Sequence, residues 1–186
     1  MSYLDPFAHA YFVVEAGRRP RFLAKRELFD NWFTNMVLTG AHQIPVDRGA
    51  HDGTPLLAAA DALAAGEVVV VYPEGTSHTD DPEFRPATGK TGVVRLALMS
   101  GVPVLPVATW GGQYVWRRSG VQSLKFGRPI WVVAGEPLDL AAGGADVEDR
   151  DAVRALTDGV MKSLAALVDD LRARYPTRWT PDRVEA

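Results

Sequence analysis

The sequence contains no cysteine among its 186 residues. That excludes disulfides, thiolate-bound zinc, iron–sulfur clusters and thiol nucleophiles, while leaving the compartment open. No apolar run approaches the ~18 residues of a membrane-spanning helix. The opening residues, Met-Ser-Tyr-Leu-Asp-Pro, have neither a basic start nor an apolar stretch of signal-peptide length. The chain as written is therefore expected to be soluble and cytoplasmic. A basic excess is also missing. The net charge is −3 and the pI near 5.8, which argues against a nucleic-acid partner. There is no internal repeat and no low-complexity tract beyond the Ala/Gly/Asp-rich residues 141–149, which read as a loop. What is present is an ordinary globular composition, 47% hydrophobic and 23% charged. The length suits one domain, residues 1–186, able to bury roughly 70% of its unfolded surface.

Hydrophobic spacing predicts an alternation of helices and strands. Asp5 followed by Pro6, with Phe7, Ala10, Tyr11 and Val14 beyond, reads as a helix with Asp5 as N-cap, ended by Gly17. Residues 21–24 form a short strand. Leu28, Phe29, Trp32, Phe33, Met36 and Val37 keep helical spacing up to Gly40. Residues 44–46 are extended, and a helix over 56–64 closes at Gly66. The β-branched run Val68-Val69-Val70-Val71-Tyr72 reads as a strand buried on both faces. A long Gly/Pro/Asp loop follows to about Gly89. A helix over 93–100, closed by Gly101, precedes a strand over 104–109. Two further strands are expected at 123–126 and 130–134, and a last helix around 156–171, stopped by Pro176. This pattern predicts an α/β layered domain with a mostly parallel, mixed sheet flanked by helices. Sites in such sheets gather beyond the carboxyl ends of strands, here after Tyr72 and after Thr109.

Several groups there could carry chemistry. In Tyr72-Pro73-Glu74-Gly75-Thr76-Ser77, a carboxylate, a permissive glycine and two hydroxyls follow the most apolar strand. Such a turn can offer backbone N–H groups to an anion. A plain strand-to-loop turn is the competing reading. Arg48, in Ile44-Pro45-Val46-Asp47-Arg48-Gly49, suits a bidentate phosphate contact or an ion pair with Asp47 or Asp52. Asp5 is either only a cap or the partner of a histidine. His9 lies four residues on, within helical reach, but none of His9, His42, His51 and His78 stands in a catalytic spacing. Lys25 and Lys90 each precede a helix, a position that favours anions rather than cations. Trp110, Tyr114 and Trp116 either pack a core or line an acyl path.

Five stretches in register resemble a known family. They are Ser2-Tyr3-Leu4-Asp5-Pro6-Phe7, Lys25-Arg26-Glu27-Leu28-Phe29, Ile44-Pro45-Val46-Asp47-Arg48-Gly49, Val71-Tyr72-Pro73-Glu74-Gly75-Thr76 and Gly101-Val102-Pro103-Val104-Leu105-Pro106-Val107. In that order they resemble the glycerophospholipid acyltransferases of the lysophosphatidic acid acyltransferase type. The likeness spans residues 1–112 and is only general beyond about 121. It implies transfer of a fatty acyl group from acyl-CoA or acyl carrier protein to the free hydroxyl of 1-acyl-glycerol-3-phosphate, giving phosphatidic acid. No cofactor is implied beyond the acyl thioester co-substrate. The family motif is His, four residues, then Asp. The His is general base on the acceptor and the Asp orients it.

Carried onto this chain, Asp5 and Glu74 are the catalytic-site candidates. Ser2, Lys25, Arg48, Gly75, Thr76 and Ser77 are the substrate-binding candidates, and Pro106 marks the fourth motif. Ser77 stands where the family has Arg, which leaves the choice of lysolipid open. The motif His falls one position before Met1. The resemblance therefore implies a domain lacking its leading strand and helices, whose missing part would anchor it to the cytoplasmic face of a membrane. Lysophospholipid, acyl thioester, a membrane surface and acyl carrier protein are the implied partners. Without the His the chain is expected to transfer little. The alternatives are a non-catalytic relative that binds anionic lysolipids through Lys25, Arg48 and Lys90, or an acyltransferase for another lysolipid. An unrelated α/β hydrolase lacks its Gly-x-Ser-x-Gly elbow here.

Overall fold

The computed structural model describes residues 2–46, 54–74, 89–117, 120–122 and 127–180. The first helix, α1 (Asp5–Glu15), leads into strand β1 (Pro20–Lys25), which pairs in parallel with two neighbours. On one side is β2 (Ile44–Val46), with Leu23 opposite Ile44. On the other is β3 (Val68–Val70), with Phe22 opposite Val70. Helices α2 (Trp32–Gly40) and α3 (Thr54–Ala64) make the crossovers that parallel pairing requires. Ile44, Ala59, Ala62 and Leu96 form a buried cluster between this sheet and its helices. Leu96 belongs to α4 (Gly92–Ser100), which ends on Gly101 at φ 66°. That left-handed conformation favours glycine.

The second half pairs differently. Strand β4 (Val107–Trp110) runs antiparallel to β7 (Trp131–Ala134), Val107 facing Ala134 and Trp110 facing Trp131. Between them β5 (Trp116–Arg117) and β6 (Gly120–Val121) make a small hairpin. The last helix, α5 (Arg150–Arg174), covers the β4–β7 pair. Asp149 caps it, accepting from the N–H groups of Asp151 and Ala152. Ala108, Trp110, Tyr114, Leu171 and Tyr175 form the core there. A third cluster, Val94, Val153 and Val160, joins α4 to α5.

The α/β class, the parallel sheet flanked by helices and most elements agree with the sequence reading, although among the described residues the antiparallel β4–β7 pair is a separate sheet. Three differences have local causes. Asp5 does not cap α1: Leu4 occupies the cap position, and the Asp5 carboxylate turns back to the Ser2 N–H instead. The helix expected from Leu28 onward is broken. Residues Arg26–Phe29 form a 3₁₀ turn, and Asn31 restarts the chain as α2 by accepting from Phe33 and Thr34 N–H. Its apolar residues are not core: Trp32 is 76% exposed and Phe33 55%. Residues 68–71 are only half-buried, because among the described residues one edge of β3 has no strand paired to it. The strand expected at 123–126 and the loop residues 75–88 lie outside the described residues. No described helix is long and apolar enough to cross a membrane.

Leu171 is 2% exposed and sits at the centre of the α5 core. Leu171→Ala is expected to lower unfolding free energy by about 2–5 kcal/mol. Urea titration checks this, and a loss below about 1 kcal/mol would mean that α5 is not anchored through this core.

Candidate functional site

The carboxyl ends of β3 and β4 converge on the first turn of α1. After β4, Gly111 adopts φ 109° and sits so close to Pro129 that a Cβ would lie 2.3 Å from its carbonyl oxygen. The next residue, Gly112, would place a Cβ 3.1 Å from Asp5 Oδ1 and from Ser2 Cβ. Two successive glycines thus let the chain leave β4 directly against Ser2 and Asp5. Ser2 is fastened twice. Its N–H donates to Asp5 Oδ2 at 2.7 Å, and its hydroxyl donates to the Trp116 carbonyl at 2.6 Å. The Leu4 N–H donates to the same hydroxyl at 3.1 Å.

A cavity of about 390 Å³ opens beside this turn. Asp5, His9, Tyr72, Glu74 and Gln113 provide polar groups on its wall near this turn, Arg18, Glu67, Ser100 and Thr109 provide others, and apolar side chains, chiefly valines and leucines, provide most of the rest. Asp5 and His9 are both buried. His9 Nδ1 and the Tyr72 hydroxyl are hydrogen-bonded at 2.8 Å, while His9 Nε2 has no partner among the described residues. Burial pushes the His9 pKa down, opposed by the Asp5 charge. Burial also pushes the Tyr72 hydroxyl and the Glu74 carboxyl up, and the Asp5 charge adds to both shifts. The site therefore favours a neutral imidazole and a protonated phenol, and resists a second carboxylate beside Asp5.

Of the sequence-predicted residues, Ser2, Asp5 and Glu74 come together at this edge, and Pro106 lines the same cavity. Lys25 lies exposed at the end of β1 and is not among the lining residues. Lys90 is exposed too, its N–H donating to the Pro73 carbonyl at 2.7 Å. Arg48, Gly75, Thr76 and Ser77 lie outside the described residues, as do His51 and His78. Of the aromatics, Trp110 and Tyr114 are core, with Trp110 also on the cavity wall, and half-exposed Trp116 packs tilted against Tyr3, their ring centroids 5.3 Å apart. Sequence reasoning missed the His9–Tyr72 pair. The four-residue spacing from Asp5 was its only visible signal, since the strand carrying Tyr72 is distant in sequence.

Comparison with known proteins decides the family. The model of a family described as Acyltransferase matches residues 1–110. This chain belongs to the acyltransferase family. The acyltransferase domain is 29% identical over 150 residues to the 1-acyl-sn-glycerol-3-phosphate acyltransferase of Bacillus subtilis (strain 168), covering 81% of this chain and 69% of that protein. Its fold is similar to the crystal structure of PlsC, the 1-acyl-sn-glycerophosphate (LPA) acyltransferase from Thermotoga maritima, with a TM-score of 0.59 and 24% identity. That match covers 85% of this chain, which spans 59% of the length of the PlsC chain.

Of the three shifted groups in the cavity, His9 and Glu74 act on stability in opposite senses. His9, with its pKa lowered below the ordinary 6.5, contributes stability that is present above that value and lost as pH falls through the lowered one. Glu74, with its pKa raised, contributes stability at low pH that is lost as pH rises through the raised value. Asp5 and Tyr72 are ionisable neighbours on the same wall, Arg18 and Glu67 line the same cavity, and the N-terminal charge opposes the rise at Glu74. His9→Asn is expected to flatten the fall in Tm on acidification from about pH 7 to pH 5, since it removes only the His9 contribution. Thermal melts across that range check it. An equally steep acid limb in the variant would place the responsible group elsewhere.

Proposed function

We propose that this domain transfers a fatty acyl group from an acyl thioester, acyl-CoA or acyl carrier protein, to the free hydroxyl of 1-acyl-glycerol-3-phosphate, giving phosphatidic acid. The observation that carries the reading is the Asp5 carboxylate, buried at the sheet's carboxyl edge beside Glu74, inside the residues that match the family. The named activity of the Bacillus subtilis relative supports the substrate class.

In this mechanism a His immediately preceding Met1 removes the acceptor's hydroxyl proton, and Asp5 orients that imidazole. The alkoxide attacks the thioester carbonyl directly, the thiolate leaves, and no acyl-enzyme forms. Glu74, Gly75 and Thr76, with Arg48, hold the glycerol and its phosphate, while Lys25 stays exposed outside the cavity lining. Ser77 offers a hydroxyl in place of a guanidinium and so weakens one phosphate contact. No cofactor takes part beyond the thioester.

Membrane contact belongs to the same proposal. Helix α2, Trp-Phe-Thr-Asn-Met-Val-Leu-Thr-Gly, has no charged residue, and Trp32, Phe33, Met36 and Val37 are all at least half exposed. Aromatic and aliphatic side chains on an uncharged short helix suit the interfacial region of a bilayer that presents lipid substrates.

The activity is tested by supplying labelled acyl-CoA and 1-acyl-glycerol-3-phosphate to the 186-residue chain and to an extended one carrying His directly before Met1. The extended chain is expected to form phosphatidic acid faster by about 10²–10⁴-fold. Asp5→Asn in the extended chain should remove most of that gain. Equal rates with and without the His would contradict the mechanism, and saturable binding of the lysolipid without turnover in either chain would point to a non-catalytic binding relative. For the membrane arm, Trp32→Glu with Phe33→Glu is expected to release the chain from sedimenting phosphatidylglycerol vesicles. Unchanged sedimentation would remove α2 from the proposal.

A further inference from the structure

Pro73 and Glu74 lie on the cavity wall. Gly89 and Lys90, distant from them along the chain, lie beside them in space. The Lys90 N–H donates to the Pro73 carbonyl at 2.7 Å, one residue before Glu74. Lys90 thus enters this region through its main chain rather than its charge. On the β3 side the same turn is fastened to α1 by the Tyr72–His9 hydrogen bond at 2.8 Å. A turn tied on one side only can still swing about that tie. Glu74 is therefore fixed only if the Gly89–Lys90 side is held as well.

Helix α5 holds it. Gly89 is buried, and a Cβ there would lie 2.6 Å from Met161 Cγ and Sδ and 3.1 Å from Thr157 Cγ2. The missing side chain is what lets the main chain come this close to the helix. Thr157 is itself fully buried, and its hydroxyl is occupied by the Val153 carbonyl at 2.7 Å, so its methyl group meets Gly89. Arg154 adds a polar tie, its Nη1 donating to the Gly89 carbonyl at 3.0 Å. Its other guanidinium nitrogens donate to Asp158 Oδ1, from Nε at 3.1 Å and from Nη2 at 2.5 Å. Arg154, Thr157 and Met161 have helical spacing and form one stripe of α5. That stripe has a fixed base, because Val153 and Val160 of α5 pack on Val94 of α4. The Arg154–Asp158 pair, at the surface, adds little by itself. A charged donor on a part-buried main-chain carbonyl is the stronger and more directional contact.

We propose that Arg154 is a positioning residue for Glu74. It ties the main chain at Gly89 to α5, and through the Lys90–Pro73 bond it keeps the Glu74 carboxyl on the cavity wall near Asp5. The path is short. The guanidinium holds the Gly89 carbonyl, the next residue's N–H holds the Pro73 carbonyl, and the residue after Pro73 carries the carboxyl. Arg154 lies outside residues 1–110, which match the family model. The geometric part of the proposal stands on these contacts alone. Its bearing on the lysolipid rests on the acyl-transfer reading given above.

NMR on the 186-residue chain tests this with two probes of position: hydrogen exchange at the Lys90 amide, and the pH titration of the Glu74 carboxyl carbon. Burial holds that carboxyl's pKa above its ordinary value, with Asp5 adding to the rise and the N-terminal charge opposing it. Arg154→Met keeps the apolar stem and removes the donors. It is expected to speed Lys90 exchange by roughly tenfold. It should also bring the Glu74 titration down toward the ordinary carboxylate range, since water reaches a freed carboxyl. Arg154→Lys keeps a donor and should restore most of both readings. Asp158→Asn keeps an acceptor for Arg154 and should leave both native. Affinity for submicellar lysophosphatidic acid should fall about three- to tenfold in Arg154→Met, the size of one hydrogen bond. Should that variant not fold, Gly89→Ala lifts the same junction off α5 and should shift both probes the same way. Native exchange and titration in Arg154→Met would overturn the proposal. So would faster exchange spread evenly through α5, which marks a helix-stability role. Probes that shift as expected in a chain that binds no lysolipid would sustain the positioning role and defeat the acyl-transfer reading instead.

Discussion

The site depends on one short link, the Ser2 N–H held by the Asp5 carboxylate at 2.7 Å. It folds the chain's first described residues into a tight turn and spends one carboxylate oxygen on the backbone. The other oxygen faces Gly112, where the absence of a side chain is what makes room for it. Removing either condition would displace Asp5 from the sheet edge: a side chain at 112 by collision, a lost N–H by freeing the carboxylate rotamer. The Ser2 hydroxyl, bonded to the Trp116 carbonyl, ties this turn to the β5 strand as well. Asp5 is thus held by the Ser2 N–H on one side and given room by Gly112 on the other, which suits a residue whose proposed task is to orient another.

Its charge organises the rest of the cavity. Asp5 is felt by His9, Tyr72 and Glu74, and for all three the larger influence is burial. Burial and the carboxylate act together on Glu74 and Tyr72, favouring their protonated forms, and against each other on His9. The His9–Tyr72 bond in turn fixes one ring nitrogen and leaves the other toward the buried interior without a partner among the described residues.

Much of this was legible in the sequence. The Val68–Val70 strand, the Gly92–Ser100 helix with its glycine stop, and the long last helix all follow from periodicity and end signals that depend on neighbouring residues only. The five motif stretches put Ser2, Asp5 and Glu74 forward together, and the fold brings the three close to one another. What was not legible depends on contacts remote in sequence. Apolar spacing marks an amphipathic face at Trp32–Gly40 but cannot tell burial from exposure, since the same pattern serves a core and an interface. Asp5 as a cap was reasonable from Pro6, yet the carboxylate found a nearer donor in Ser2. The His9–Tyr72 pair spans 63 residues and needs β3 to end beside α1, which no local pattern records. Strand pairing is hidden in the same way: the antiparallel β4–β7 pair is a property of the assembled fold.

The central claim is that the lysolipid acceptor sits at the carboxyl edge of the sheet, around Asp5. The most direct test is a backbone-amide NMR titration of the 186-residue chain with submicellar lysophosphatidic acid. The account predicts saturable shifts centred on the amides of Ser2, Tyr72, Glu74 and Gly112, all abolished by Asp5→Lys in a chain that keeps its fold. Shifts confined to the exposed residues of α2, or none that saturate around Asp5, would contradict it.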